Sequence, residues 1–555
     1  MPEGSSAAEG SAVRAGSAAP AGLAAPAGSA APAGSAARAT GSPLRRIPAH
    51  PLLFAAYAVL HLYAANVGET TLGDVIRPLV LVLAPTAIAL ALASLLYRDI
   101  LAGAVVVSTG VVAFFAFGHL GNILGPAGIS TEAQLIGWLA LVAVVAVLGF
   151  THRSQVRRAT LGLNTFTLLL VALSLITIVP AEVSRAGQVA RGTAPSAGGS
   201  PADPIERVGS RPDVYYLVFD RYGSETSLEL NFDIDNDLPE WLTEQGFYVA
   251  PESYANYAVT RLSLASSLNM TYLDELAEEQ GPDSSNWAPV DQMLNDHAVG
   301  RLFKDHGYTY VHIGSWFAPT ATSRLADINH RWSTEPEFDS VLFDTTALPA
   351  IKGLFAGAPR KPFDERHYQN GRYQFRKLAE VSSLPGPKFV LGHFLVPHPP
   401  YVFDGEGELV SQAALDSTAE AQLYQDQLTY ANRMIRETIA GILADAGDEP
   451  PVIILQADEG PYLNEDIDWS DKQLERIQVR HGILNAYFLP DPDGDGDGAR
   501  DVVYPSITPV NTFRMILSEY LGADLSLLPD RIYRWGGNDN IFNLKELTDL
   551  VYSSD

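Results

Sequence analysis

Asp458 and Glu459 are adjacent carboxylates placed where a short β-branched run, Val452-Ile-Ile-Leu-Gln456, gives way through Ala457 to a Gly-Pro turn. A run of that kind reads as a buried strand, and Gly-Pro then turns the chain. Ionised carboxylates at the mouth of a buried sheet each cost roughly several kcal/mol unless something pairs with them, and a metal ion is the usual partner. Asp220 repeats the pattern after Val214-Tyr-Tyr-Leu-Val-Phe219. A single Asp after a strand is as readily a turn former or a helix cap. Two carboxylate-tipped strands in one parallel sheet can converge on one divalent ion.

Thr260 opens the segment Thr-Arg-Leu-Ser-Leu-Ala-Ser-Ser-Leu, in which Leu262, Ala265 and Ser266 have helical spacing. A Thr at or just before a helix start is an ordinary N-cap. The same position offers a hydroxyl to the positive end of the helix dipole, with free backbone N–H groups facing an incoming phosphate. Metal coordination would lower the pKa of that hydroxyl and make it a nucleophile. His393 and His398 share one strand-to-loop exit, Leu391-Gly-His-Phe-Leu-Val-Pro-His-Pro-Pro400, where prolines cage His398. A lone His reads as structural; two in one exit point to a site. His481, in Arg480-His-Gly482, precedes a strand instead of following one. It belongs farther from the site unless its loop folds back.

Positioning these groups takes a sheet. From Pro212 onward, strand-like runs at 214–219, 308–313, 389–394, 452–456 and 483–489 alternate with helical patterns at 262–270, 296–306, 366–382, 417–445 and 509–521. Such alternation predicts an α/β domain with a mostly parallel sheet between helices, and ligands gather at the carboxyl ends of its strands.

The 555 residues contain no cysteine, which excludes disulfides, thiolate metal sites and a Cys nucleophile. Net charge is −27, but residues 1–182 carry nine Lys+Arg against seven Asp+Glu. Subtracted from totals of 37 and 64, this leaves 28 bases against 57 acids beyond residue 182. So acidic a surface excludes nucleic acid as a partner, since phosphate contacts need clustered Lys and Arg.

Residues 1–48 are Ala/Gly/Ser/Pro-rich and predict a disordered tail. Apolar runs at about 49–66, 77–97, 101–120, 134–151 and 165–181 approach the roughly 20 residues that cross a bilayer. They predict a bundle of about five transmembrane helices over 49–182, with the lipid bilayer as partner. Arg38, Arg45 and Arg46, then Arg98, then Arg153, Arg157 and Arg158 mark alternate loops as cytoplasmic. The N-terminus is then cytoplasmic and, after an odd number of spans, the C-terminal domain is extracellular. Residues 183–211 read as a linker and 212–555 as the external catalytic domain. The spans hold almost no charged side chains, which argues against a transporter. The run Asp491-Pro-Asp-Gly-Asp-Gly-Asp497 resembles the start of a Ca²⁺ loop but lacks the closing Glu, and reads as an acidic surface loop.

Over roughly 212–535 these motifs together resemble the alkaline phosphatase/sulfatase superfamily, above all membrane-anchored, sulfatase-like proteins such as lipoteichoic acid synthases and phosphoethanolamine transferases. The resemblance rests on the Asp220-tipped strand, the Thr260 segment, Pro-His-Pro-Pro, Gln-Ala-Asp-Glu-Gly-Pro, and Ile-Leu-Asn-Ala-Tyr-Phe-Leu-Pro followed by Ser506-Ile-Thr-Pro-Val-Asn-Thr-Phe-Arg514. It implies one divalent metal held by Asp220, Thr260, Asp458 and Glu459, with Thr260 also the nucleophile. It implies that His398, with His393 and His481, contacts the substrate anion or the leaving group. The substrate would be a phosphoester of an envelope lipid, glycan or polymer.

Two departures shape the expected chemistry. Sulfatases make formylglycine from Cys or Ser in a Cys/Ser-x-Pro-x-Arg setting, whereas here Thr260 is followed by Leu262 and Leu264 at the Pro and Arg positions. A threonine suits phosphoryl transfer through a phosphothreonine, resolved by water or by an acceptor hydroxyl. Glu459 stands where the family has His. An all-oxygen ligand set favours Mn, Mg or Ca over Zn, and the added negative charge should weaken anion binding. The alternative expectation is therefore a catalytically inactive, sulfatase-like binding protein of the cell envelope.

Overall fold

The computed structural model describes residues 47–67, 70, 72–125, 127–191, 211–333, 337–356, 362–491 and 502–552. Most of the tail expected over 1–48, of the expected linker and of the acidic run after Asp491 lies outside these residues.

The apolar runs form six helices: α1 His50–Ala65, α2 Leu72–Tyr97, α3 Ile100–Phe115, α4 Phe117–Leu124, α5 Thr131–Thr151 and α6 Arg153–Arg191. The expected count of five spans needs correcting. Leu72–Tyr97, Thr131–Thr151 and Arg153–Val183 are long and apolar enough to cross a membrane, and α3 with α4, bent by 53°, make a fourth if they act as one span. Helix α1 has 16 residues, roughly 24 Å at 1.5 Å per residue, short of the ~30 Å hydrocarbon core. Helix α6 also runs on through Arg191 into the expected linker.

A side chain of α6 closes the start of α1. Asn164 Oδ1 accepts from the backbone N–H groups of Ala49 at 3.1 Å and His50 at 2.9 Å, and its Nδ2 donates to the Ile47 carbonyl at 2.7 Å. The first N–H groups of a helix have no partner within it. Asn164→Ala is therefore expected to cost about 1–3 kcal/mol, read as a lower melting temperature of the detergent-solubilised chain. An unchanged melting temperature would mean that α1 does not depend on this clamp.

The domain beyond residue 211 is built on seven strands: β1 Val214–Phe219, β2 Tyr248–Val249, β3 Thr309–Ile313, β4 Ile328–His330, β5 Lys388–Phe394, β6 Val452–Gln456 and β7 Asn485–Phe488. Their order is β2-β7-β6-β1-β5-β3-β4. Strands β6, β1, β5, β3 and β4 run parallel, while β7 is antiparallel to β6 and to β2. The α/β expectation holds, with an antiparallel edge added. Every residue of β1, β5 and β6 is buried, Lys388, His393 and Gln456 included, which is why the rest of these strands reads as apolar. Alternate β1 side chains face two cores. Tyr216 and Val218 pack with Leu262 and Phe513 on one side, and Tyr215, Leu217 and Phe219 pack with Phe375 and Ile435 on the other.

Two helices inserted between β4 and β5, Glu337–Thr345 and Leu348–Ala356, tie this domain to the membrane helices. Phe338 and Leu342 pack with Val59, Tyr63, Val75 and Ile178, and Arg77 at the start of α2 pairs with Asp339 at 3.1 Å.

Candidate metal centre and nucleophile

The register of the central strands brings the two carboxylates together. Val218 of β1 pairs with Gln456 of β6, so Asp220 and Asp458 stand two residues further on, just past the carboxyl ends of neighbouring strands. Val218 also pairs with His393 of β5 on the other side. Ligand atoms of Asp220, His393 and Asp458 all lie within 4.8 Å of one another, and all three residues are buried. His393 Nε2 is 3.4 Å from Asp220 Oδ2.

These three residues show what a cation would satisfy. Asp220 Oδ1, His393 Nε2 and Asp458 Oδ2 are buried atoms without a hydrogen-bond partner, a condition proteins normally avoid. The far side of the imidazole is fixed, because His393 Nδ1 bonds Thr320 Oγ1 at 2.8 Å and Gln374 Nε2 donates to the His393 carbonyl at 2.6 Å. Outer partners of this kind orient metal-ligating histidines. Burial alone would raise the Asp220 carboxyl, but the charges of His398, His393 and Arg221 outweigh it and hold it below the usual carboxylate range. Burial, then repulsion from Asp220 and Glu459, pushes Asp458 well above that range. The residues present fit a divalent metal ion.

Thr260 is the first residue of the helix Thr260–Asn269, whose N-cap is Val259 with no side-chain cap bond. Its hydroxyl is thus not used for capping. Thr260 Oγ1 instead donates to Asp220 Oδ2 at 3.5 Å.

Glu459 departs from its expected place among the ligands. Its Oε1 accepts from Arg221 Nε at 2.9 Å and its Oε2 from Arg480 Nη2 at 2.9 Å. Both oxygens are engaged by guanidinium groups, and the residue that joins Asp220 and Asp458 is His393. The set is then mixed oxygen and nitrogen, so the reason for ranking Zn below Mn, Mg and Ca no longer applies. Glu459→Gln is expected to leave metal affinity at the same order of magnitude in an equilibrium titration. A large loss would restore Glu459 as a ligand.

His398 borders the group without joining it. Its charge acts on Asp220, its ring centroid lies 6.2 Å from that of Trp316, and its Nδ1 contacts the Pro399 carbonyl. Burial lowers its pKa. His481 is not brought in. It is buried at the end of the helix Gln473–His481, with Nδ1 bonded to the Ala255 carbonyl at 3.0 Å. The side chain of its neighbour Arg480 reaches the site instead, a role that the strand-preceding position of this segment did not advertise. Arg221 was also unforeseen, although a base directly after a strand-end carboxylate is a visible signal.

Residues 213–497 match the family model described as Sulfatase. Among solved structures, the C-terminal periplasmic domain of EcEptC from Escherichia coli is similar at 14% identity and a TM-score of 0.40, covering 62% of this chain and 96% of that one. The integral membrane protein lipooligosaccharide phosphoethanolamine transferase A (EptA) from Neisseria meningitidis is similar at 13% identity and a TM-score of 0.36, covering 85% and 95%. The phosphonate monoester hydrolase of Agrobacterium radiobacter is similar at 13% and 0.36, covering 58% and 75%. No curated protein matches the chain significantly.

Proposed function

We propose, since this chain belongs to the sulfatase family, that it is a membrane-anchored, metal-dependent phosphotransferase or phosphohydrolase acting on a cell-envelope phosphoester through Thr260. The observation that carries this reading is the convergence of three unpartnered buried ligand atoms beside a helix-start hydroxyl that makes no cap bond. Asp220, His393 and Asp458 would hold the metal, with Zn or Mn suiting two carboxylates and an imidazole. A bound divalent ion supplies charge neutralisation and a lowered hydroxyl pKa.

The chain's own residues do the rest. Thr260 Oγ1 gives up its proton to bulk water and forms a bond to phosphorus as the bond to the leaving oxygen breaks, and that oxygen takes a proton from water, giving a phosphothreonine and the free alcohol. The first turn of its helix faces the phosphoryl oxygens with free N–H groups. His398 keeps a proton on Nδ1 towards the Pro399 carbonyl, and burial lowers its pKa, which favours a lone pair on Nε2. That nitrogen can take a proton from the water or alcohol that attacks the phosphothreonine and return it to the Thr260 oxygen, which leaves as its alcohol. Sulfate-ester chemistry through formylglycine is not supported, because the chain has no cysteine and Thr260 occupies the position.

Arg98 at the α2–α3 junction and Arg153, Arg157 and Arg158 at the α5–α6 junction support a cytoplasmic side for both junctions. The end of α6, and the domain after it, are then extracellular whether or not α1 crosses. Only the side of the N-terminal tail depends on α1. A cavity of about 640 Å³ between the membrane helices and the domain, apart from the residues of the metal group, has Leu81, Phe114 and Phe115 on one wall and Asp339, Lys352, Glu365 and Arg366 on the other. The inactive-protein reading loses its ground, because Glu459 is neutralised by two arginines and adds no third carboxylate to the metal set.

The test is turnover of bis(p-nitrophenyl) phosphate by the purified full-length chain, with and without Mn or Zn. Peptide mass spectrometry of quenched reactions should find a phosphoryl group on the Thr260 peptide. Turnover that ignores chelation would refute the metal requirement.

A further inference from the structure

We infer that Arg221 is an oxyanion-binding residue of this site, and that Glu459, Arg480 and Tyr462 hold its guanidinium in place. Arg221 is 7% exposed. Its backbone N–H donates to Asp458 Oδ1 at 3.3 Å, its Nε bonds Glu459 Oε1 at 2.9 Å, and its guanidinium lies 3.1 Å from the centre of the Tyr462 ring. Its Nη1 is buried and has no hydrogen-bond partner. A buried charged donor left unpaired is costly, so such a donor points to a ligand.

The backbone agrees. Arg221 adopts φ +62, a left-handed conformation uncommon outside Gly, Asn and Asp, and one that persists only where surrounding contacts enforce it. The tight turn after β1 sends the side chain of the residue following Asp220 back across the mouth of the sheet, onto the strand end that carries Asp458 and Glu459.

The second guanidinium has a different job. Arg480 donates to the carbonyls of Pro461 at 3.0 Å, Ala258 at 3.2 Å and Gly460 at 3.4 Å, besides Glu459 Oε2 at 2.9 Å. It is a clamp with both terminal nitrogens used, and Glu459 transmits that clamp to Arg221. Gly460 admits the arrangement, because a Cβ there would lie 2.0 Å from the Val479 carbonyl oxygen. Glu459 is therefore a positioning residue.

Charge completes the case. Asp220, Asp458 and Glu459 contribute three negative charges, and Arg221 with Arg480 two positive ones. A divalent cation then leaves the site positive by one charge. Without the arginines the loaded site would stay negative and repel an anion. The ligand class is a phosphoryl oxyanion, and this assignment rests on the phosphoryl-transfer reading above.

Two titrations test it on the full-length protein in detergent. One measures Mn or Zn binding, and the other orthophosphate binding to the metal-loaded protein by calorimetry. Arg221→Gln should weaken orthophosphate about 10- to 100-fold, the loss of one charge-assisted hydrogen bond. Metal affinity should stay the same or rise, because a positive charge beside the carboxylates is gone. Arg221→Lys, which keeps the charge and loses the fork, should weaken phosphate less and leave the metal unaffected. Unchanged phosphate affinity in Arg221→Gln, or parallel loss of metal and phosphate in both variants, would overturn the inference and make Arg221 structural. A loaded wild type that fails to bind orthophosphate would also overturn it. Wild-type phosphate binding without any turnover would instead sink the enzymatic reading and leave the oxyanion site standing.

Discussion

Thr260→Ala is expected to lower phosphodiester turnover by roughly 10³-fold or more, the scale seen when a covalent nucleophile is removed. The fall should be in kcat, because the metal group, Arg221 and the helix N–H groups that would bind the substrate remain. Folding should be little affected. Thr to Ala at a helix start commonly costs about 1 kcal/mol through the lost cap bond, but the N-cap here is Val259 and no side-chain cap bond exists. A near-isosteric Thr260→Val variant should behave like the alanine variant, and Thr260→Ser, which keeps a hydroxyl, should retain measurable activity and accept the phosphoryl group. Undiminished turnover in the alanine and valine variants would discard Thr260 as the nucleophile. The proposed mechanism would go with it.

Much of the fold was readable because β1, β5 and β6 are buried on both faces, so that β1 and residues 452–455 of β6 appear as unbroken apolar runs and β5 as one interrupted by His393. Asp220 and Asp458 were legible for the same reason, since a charge that ends such a run has to be explained. What could not be read was the order of strands. His393 joins the carboxylates because β5 lies beside β1 with His393 opposite Val218, and no local pattern encodes that neighbour. Glu459 shows the same limit. Its partners lie 238 residues before it and 21 after it, so an acidic residue that looked like a third ligand is the centre of an ion-pair bridge. In the membrane region, hydropathy located the apolar segments but not their ends. Helix α1 ends after 16 residues, and α3 and α4 meet at a 53° bend.

The metal-free site should be a source of instability, and Asp458→Asn should expose that by an unusual pair of effects. Asp220 and Asp458 are each 1% exposed and face one another with opposite shifts, Asp220 down and Asp458 up. A carboxyl whose folded pKa is raised binds its proton more tightly in the folded state. Its stabilising contribution is present below the unfolded value of about 3.9 and is lost as pH rises through the folded value. At neutral pH and without a cation, Asp458 is therefore a liability, and replacing it with neutral Asn should keep or raise the melting temperature of the chelated protein. With metal the sign reverses. A cation that binds only the folded state adds about 2.7 kcal/mol at a concentration one hundred times its Kd, and a variant lacking one carboxylate ligand should lose most of that increment. Melting curves of wild type and Asp458→Asn, each with chelator and with Mn or Zn, give the four values required. The expected order places loaded wild type highest, chelated wild type lowest or level with the chelated variant, and the variant insensitive to metal. A wild type whose melting temperature responds to neither chelator nor metal would remove the reason for grouping Asp220, His393 and Asp458 as a metal centre.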